Sequence, residues 1–135
     1  MDIPHEAVLL RIFTSADDRC GVEPLYMAIV MKARALNLAG ATVLRGPLGF
    51  GHSTRLHESH LFSLSNDLPI VIEIVDGEDR IEAFLPVLDE MMESGLVTLE
   101  KARVLHYGRK RSSYLERLKD SLFHRHPAAS PADLL

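Results

Sequence analysis

The feature that most limits the possible folds is a β-branched run, PIVIEIVD, followed at once by an amphipathic helical pattern. Pro69 suits the first position of a strand, and the run that it opens predicts a strand over residues 69–76. Beyond it, apolar residues recur every three or four positions and predict a helix with one buried stripe. The stripe consists of Ile81, Phe84, Leu85, Leu88, Met91 and Met92. Gly95 suits the end of this helix, and Pro86 predicts a kink because proline offers no N–H to residue 82.

The remaining periodic stretches extend this pattern to the whole chain. The aliphatic run Ala7–Phe13 predicts a buried strand, and Pro24 opens a helix that ends near Gly40. The apolar stripe of that helix is Leu25, Ile29, Ala33 and Leu36. Residues 41–46 predict a second strand, and Leu96–Leu105 predicts the last one, while HLFSLS at 60–65 precedes the run at Pro69. The order β-α-β-β-α-β predicts a ferredoxin-like α/β sandwich, an α+β fold with both helices on one face of the sheet. A bare apolar face on the other side would require a partner, most simply further copies of the chain.

Charge divides the sequence into an acidic body and a basic extension. The 135 residues carry a net charge of −4, but residues 109–135 hold six Lys and Arg against three acids. Residues 1–108 therefore hold nine Lys and Arg against sixteen acids, a net charge of −7. We predict a single domain over 1–108 with no nucleic-acid partner, because phosphate contacts need clustered cations.

The extension 109–135 has the pattern of one short helix. Ser113 and Glu116 form a capping box, and an apolar seam follows at Leu115, Leu118 and Leu122. This predicts a helix over Ser113–Phe123 that is too short to be stable alone, followed by disorder beyond Pro127. The helix is one candidate interaction element, which would make the protein a structural adaptor.

The sequence contains few indications of the cellular compartment of the protein. Cys20 is the only cysteine, so no intrachain disulfide and no cysteine-based zinc cluster can form. The first residues, MDIPHEAVLLRIF, lack the pattern of a signal peptide, and no stretch has the roughly eighteen apolar residues of a membrane span. We expect a cytoplasmic protein without membrane insertion.

The stretch after the second strand, GPLGFGHSTRLHESH, has the composition of a mobile loop that contacts a partner. Its candidate contact residues are Gly49, Phe50, Gly51, His52, Ser53 and His57. His52, His57 and His60 could alternatively hold a metal ion, although their spacing matches none of the strong zinc signatures. Ser53 or Ser59 beside His57 is a weak case for catalysis, because a flexible loop does not hold a nucleophile and a base in place.

Cations near the strand ends are the candidate ligand-binding residues. Arg45 and Gly46 lie where the second strand meets the loop, and guanidinium groups suit carboxylates or phosphates. Together with Arg55, Lys101, Arg103 and His106 they could line a cleft between subunits. The alternative for Arg45 is an ordinary ion pair with Glu73 or Asp76 of the adjacent strand.

Four segments, GATVLRG, LPIVIEIVD, RIEAFLPVLDEM and GLVTLEKARVL, resemble the domain-of-unknown-function 190 family, which is similar to the PII signal-transduction proteins. The resemblance covers residues 8–105. It implies a ferredoxin-like homotrimer with a mobile loop over residues 46–59 that reaches a target protein, such as a membrane transporter or an enzyme. It also implies an effector bound between subunits, typically an adenine nucleotide such as ATP, ADP or AMP, or another small anion.

Two segments depart from the PII pattern. PII proteins have a glycine-rich basic turn before the last strand, whereas DEMMESGLVTLEK has one glycine, Gly95, and mostly acids. The paired arginines that follow the last PII strand are replaced by Lys101, Arg103, His106 and Arg109.

On the basis of the resemblance we predict a non-enzymatic, PII-like homotrimeric regulatory protein. The alternatives are a metal-binding oligomer that uses the loop histidines and the structural adaptor described above.

Overall fold

The computed structural model describes residues 2–52, 56–58 and 67–108, together with Leu122. Contacts divide the chain into two compact units, Met1–Val104 and Leu105–Leu135. The first unit contains eight strands and two helices among the described residues. In chain order they are β1 (Glu6–Ser15), β2 (Arg19–Cys20), β3 (Glu23–Pro24), α1 (Leu25–Ala35), β4 (Thr42–Arg45), β5 (Leu48–Gly49), β6 (His57–Glu58), β7 (Pro69–Asp76), α2 (Glu78–Met91) and β8 (Leu96–Arg103).

A four-stranded antiparallel sheet in the order β4-β7-β1-β8 forms the centre of the first unit. Helix α1 connects β1 to β4 and helix α2 connects β7 to β8, so each helix joins two strands that run in the same direction. This is the predicted ferredoxin-like α/β sandwich, and the prediction is confirmed. The stretch 60–65 lies outside the described residues.

The core lies between the helices and one face of the sheet. Every second residue of β7 is buried, from Ile70 to Asp76, and Leu10 and Ile12 of the neighbouring β1 lie on the same side. The helices contribute Leu25, Ile29, Ala33, Ile81, Phe84 and Leu88. Apolar residues alternate with a period of two in the strands and recur every three or four positions in the helices. Both patterns could therefore be recognised in the sequence.

Two element ends differ from the sequence prediction. Helix α1 ends at Ala35 rather than near Gly40, because Asn37 adopts the left-handed backbone conformation (φ 59°) that stops a helix. Leu36 lies beyond the helix and is about half exposed instead of buried. At the other end of the domain, β8 stops at Arg103, since its partner strand β1 begins opposite at Glu6.

The other face of the sheet, which we call the open face, mixes apolar and charged side chains that are half-buried or exposed. Leu9 lies opposite Val75, and Phe13 lies opposite Val71. Between these apolar pairs, Arg11 lies opposite Glu73. The open face is therefore less uniformly apolar than a buried core.

Candidate functional site

Arg45 lies at the last position of β4, opposite Ile70, with its side chain exposed to solvent. The next residue, Gly46, donates its backbone N–H to the carbonyl oxygen of Pro69 at 2.8 Å. This hydrogen bond fixes the point where the chain leaves the sheet. The backbone of Arg45 is thus held at a defined position beside the loop.

The predicted ion pair of Arg45 with Glu73 or Asp76 is not formed. Glu73 lies opposite Thr42, three residues from Arg45, and its Oε1 is 3.4 Å from Nε of Arg11. Asp76 is fully buried at the far end of β7, where it faces other donors. The cross-strand register therefore excludes both pairings.

A short hairpin lies within the predicted loop. Strands β5 and β6 pair so that Leu48 lies opposite Glu58 and Gly49 lies opposite His57. A Cβ atom at Gly49 would lie 2.8 Å from Cγ of Pro69, so only glycine allows this close approach. These four residues give the predicted loop a paired base, which packs on the first residue of β7.

The described part of the hairpin exposes apolar side chains. Phe50 is 71% exposed, and Leu48 and Leu56 are both more than half exposed. Of the other candidate contact residues, Gly51 and His52 are exposed, Ser53 lies outside the described residues, and His57 is described only in its backbone. An exposed apolar group on a projecting hairpin is suited to contact with another protein.

The histidine alternative has no support from the described residues. His60 lies outside them, and no group of three metal-ligating side chains occurs in the part of the chain that the structure describes. Arg55, one of the candidate ligand-binding cations, also lies outside the described residues.

The candidate cations of the last strand lie on the edge strand β8. Lys101 is opposite Val8 and is exposed. Arg103 is opposite Glu6, and its Nε lies 3.7 Å from Oε1 of Glu6, with both side chains more than half exposed. A pair this long and this exposed is weak, so it leaves Arg103 free to exchange Glu6 for another anion. His106 belongs to the second unit, where it is exposed.

The sheet places Arg45 and Lys101 at opposite corners. They lie on the two edge strands, with β7 and β1 between them, which separates them by roughly 14 Å across the sheet. Along the strands, Arg45 is level with Thr14 and Lys101 is level with Val8, which adds roughly 20 Å. The two cations are therefore about 25 Å apart in one chain, and only a neighbouring chain could bring such groups together around one anion.

Two charged features escaped sequence analysis. Glu73, Arg11 and Glu100 form a row of charges across β7, β1 and β8. Besides its contact with Glu73, Arg11 has its Nη1 3.2 Å from Oε1 of Glu100. Asp76 is buried, accepts the N–H groups of Ala39 (2.9 Å) and Gly77 (2.7 Å), and lies 3.7 Å from Nη1 of Arg80. The signal for both was a charged residue within or at the end of an apolar strand, but only the tertiary structure identifies the partners.

The element order, the antiparallel β4-β7-β1-β8 sheet and the two helices on one face define a PII-like ferredoxin fold. A PII-like protein of Thermus thermophilus shares it, with a TM-score of 0.55 and 18% identity over 77% of this chain and 93% of that chain. CPII, a nitrogen regulatory PII-like protein from Thiomonas intermedia K12 whose structure was solved with ADP, AMP and bicarbonate, shares it with a TM-score of 0.51. CPII is 19% identical over 73% of this chain and 88% of its own.

The chain belongs to the DUF190 family, described as "Uncharacterized ACR", whose model matches residues 7–104. A UPF0166 protein of Aquifex aeolicus (strain VF5) is 39% identical to it over 98 residues, which are 73% of this chain and 92% of the relative. The resemblance inferred from the four sequence segments is confirmed. Among the described residues, no helix is long and apolar enough to cross a membrane.

Proposed function

We propose that this protein is a PII-like regulatory protein that binds a small anionic effector between subunits and signals its presence through the hairpin loop. The observation that carries the proposal is the placement of Arg45 and the Lys101–Arg103 pair on opposite edges of one sheet. Among the described candidate residues, the β4 edge carries one cation and the β8 edge carries two. Two chains with these edges in contact would bring these cations together.

Self-association is supported by the apolar surface of the sheet. The edge strands expose Val43 and Leu44 of β4 and Leu96, Val97 and Leu99 of β8. Burial of such side chains between copies is favourable by roughly 25 cal/mol for each Å². We propose a homotrimer, following the PII-like fold, in which each effector site takes Arg45 from one subunit and Arg103 from the next.

The effector class follows from the cations and from the turn before β8. Guanidinium groups bind carboxylate, carbonate and phosphate oxygens in pairs. The turn before β8 supplies Glu93 and one glycine rather than a glycine-rich cradle, so a polyphosphate has few backbone donors there. Bicarbonate or a nucleoside monophosphate or diphosphate therefore fits better than a triphosphate, in keeping with the ligands of CPII.

The hairpin loop is the proposed reporter. Arg45 and Gly46 lie immediately before the hairpin base, so an anion on Arg45 changes the field and the contacts at the start of the loop. The effector shifts the population of loop conformations that present Leu48, Phe50 and Leu56 to a target protein.

The experiment uses the full chain in a thermal-unfolding panel with AMP, ADP, ATP, cyclic nucleotides, bicarbonate and divalent metal ions. A true effector at a hundred times its Kd raises the free energy of unfolding by about 2.7 kcal/mol. Arg45→Gln and Arg103→Gln should each weaken binding about tenfold or more, since each removes a charge-assisted contact. Arg34→Gln, an exposed arginine on α1, is the matched control and should change affinity less than about twofold.

Mixing the two inactive variants tests whether the site lies between subunits. In a random mixture of Arg45→Gln and Arg103→Gln chains, about a quarter of the interfaces combine the intact Arg45 of one chain with the intact Arg103 of the other. After subunit exchange, about a quarter of the sites should therefore bind the effector with the original affinity. If the mixture stays inactive although both variants form trimers, the two arginines do not share a site and the proposal fails.

A further inference from the structure

A groove of about 800 Å³ lies between the second half of α2, the turn that follows it and the start of β8. We call it the α2 groove. Its apolar lining consists of Leu85, Pro86, Leu88, Met92 and Val97. Leu88 is buried, Leu85 and Met92 are half-buried, and Val97 is 40% exposed. The groove therefore offers apolar surface to solvent at a size that accepts several side chains of a bound segment.

The rim of the α2 groove is acidic. Glu82, Asp89 and Glu93 line it and are exposed, and none of the ten lining residues is Lys, Arg or His. Pro86 adds to this surplus of acceptors, because it has no N–H and leaves the carbonyl oxygen of Glu82 without its helical donor. An occupant must therefore bring cationic or N–H donors together with an apolar surface.

Charge also decides which occupant is favoured. Residues 1–108 carry a net charge of −7, so the acidic rim would repel this part of a second copy, whereas it would not repel the basic extension 109–135. An amphipathic helix with leucine-like residues on one face and Lys or Arg beside them can contact the apolar lining and pair with the acidic rim at the same time.

We propose that the α2 groove docks a basic amphipathic helical segment of a partner protein. Its apolar face covers Leu85, Pro86 and Met92, and its Lys or Arg side chains pair with Glu82, Asp89 and Glu93. The described residues that line the groove belong to α2, the following turn and β8, so this docking does not use the hairpin loop.

The test titrates the full chain into a fluorescein-labelled peptide of about five helical turns, with leucines on one face and lysines and arginines on the other. Fluorescence anisotropy should report saturable binding that weakens as NaCl rises, because the contacts are partly between exposed charges. A peptide of the same composition with its leucines dispersed around the helix should bind at least about tenfold more weakly.

Matched variants locate the binding site. The triple variant Glu82→Gln, Asp89→Asn, Glu93→Gln should lower peptide affinity about tenfold or more. The control Asp2→Asn, Glu23→Gln, Glu90→Gln makes the same change in net charge at exposed positions outside the groove and should stay within about twofold. All six side chains are exposed, so thermal unfolding should show that both variants remain folded.

Three results would overturn the proposal. The first is that the peptide does not bind, or binds as well with dispersed leucines. The second is an equal loss of affinity in the control variant, which would mean attraction to the overall negative charge. The third is a change in the molar mass of the assembly, measured by light scattering, in the groove variant alone, which would make the groove an interface between copies of this chain.

Discussion

At the scale of single residues, Gly95 combines two constraints that no other residue type meets. Its backbone φ of +127° lies in a region that L-amino acids rarely adopt. A Cβ atom there would also lie 2.7 Å from the carbonyl oxygen of Phe13 and 2.7 Å from Cε of Met92. The turn from α2 to β8 can therefore approach the end of β1 only with glycine at this position.

Gly95→Ala should lower the free energy of unfolding by about 3 kcal/mol, from backbone strain and overlap with Phe13. Gly40→Ala is the matched control, because no atom lies within 4 Å of a Cβ atom at Gly40 and its φ is not positive. That control should change stability by less than about 1 kcal/mol. Chemical denaturation of the two variants measures both values, and equal stability would contradict the role assigned to Gly95.

Asp76 is a second residue whose role depends on its surroundings. A buried carboxylate is costly unless donors surround it, and here the N–H groups of Ala39 and Gly77 supply them. Nη1 of Arg80 lies 3.7 Å from Asp76 and 3.2 Å from the carbonyl oxygen of Asn37. Asp76 thus joins the segment after α1 to the start of α2, which is a structural role rather than a catalytic one.

At the scale of elements, a hydrogen bond and a close contact between described residues hold the hairpin base to the sheet. Gly46 donates to Pro69, and Gly49 lies against the same proline ring. The proline cannot donate to a neighbouring strand, but its ring and its carbonyl both serve the hairpin. The start of β7 therefore sets the direction in which the loop leaves the domain.

Gly49→Ala should loosen this base, because the added Cβ atom would lie 2.8 Å from Cγ of Pro69. The N–H of Gly46 should then exchange with solvent about tenfold faster, which corresponds to about 1.4 kcal/mol. Gly51→Ala, which meets no atom within 4 Å, should leave that rate unchanged. Amide hydrogen exchange followed by NMR compares the two variants. Equal exchange rates would show that the contact with Pro69 does not hold the hairpin.

At the scale of the whole molecule, the open face of the sheet carries a row of charges between apolar positions. The Glu73–Arg11–Glu100 row crosses β7, β1 and β8 between flanking apolar positions. Such a row contributes little to the stability of an isolated chain, since the pairs are partly exposed. Between copies it would disfavour arrangements that leave these charges unpaired.

Val75→Glu should dissociate the proposed homotrimer, because it places a third negative charge beside Leu9 in the apolar part of the open face. Light scattering should then give the mass of a single chain, while circular dichroism stays close to that of the original protein. The control Val22→Glu changes a side chain that is 93% exposed in the turn between β2 and β3 and should leave the mass unaltered. A single-chain mass for the unmodified protein at micromolar concentration would contradict the trimer itself.

The local patterns of the sequence were sufficient for the order of the strands and helices, the family and the ferredoxin-like topology. Alternation in β7 and the stripe of α2 are properties of neighbouring residues, and burial on one face follows from them. The partners of Arg11, Asp76 and Gly49, by contrast, come from distant parts of the chain. Such contacts depend on how the strands are aligned and on how closely distant segments approach. A shift of one residue in the pairing of two strands would change every cross-strand partner. The sequence alone thus determined the two helices and the four strands of the central sheet, but not the short pairs β2–β3 and β5–β6. Only the tertiary structure decided that Arg45 and Lys101 lie at opposite corners of the sheet, because that distance depends on how four strands are ordered and aligned.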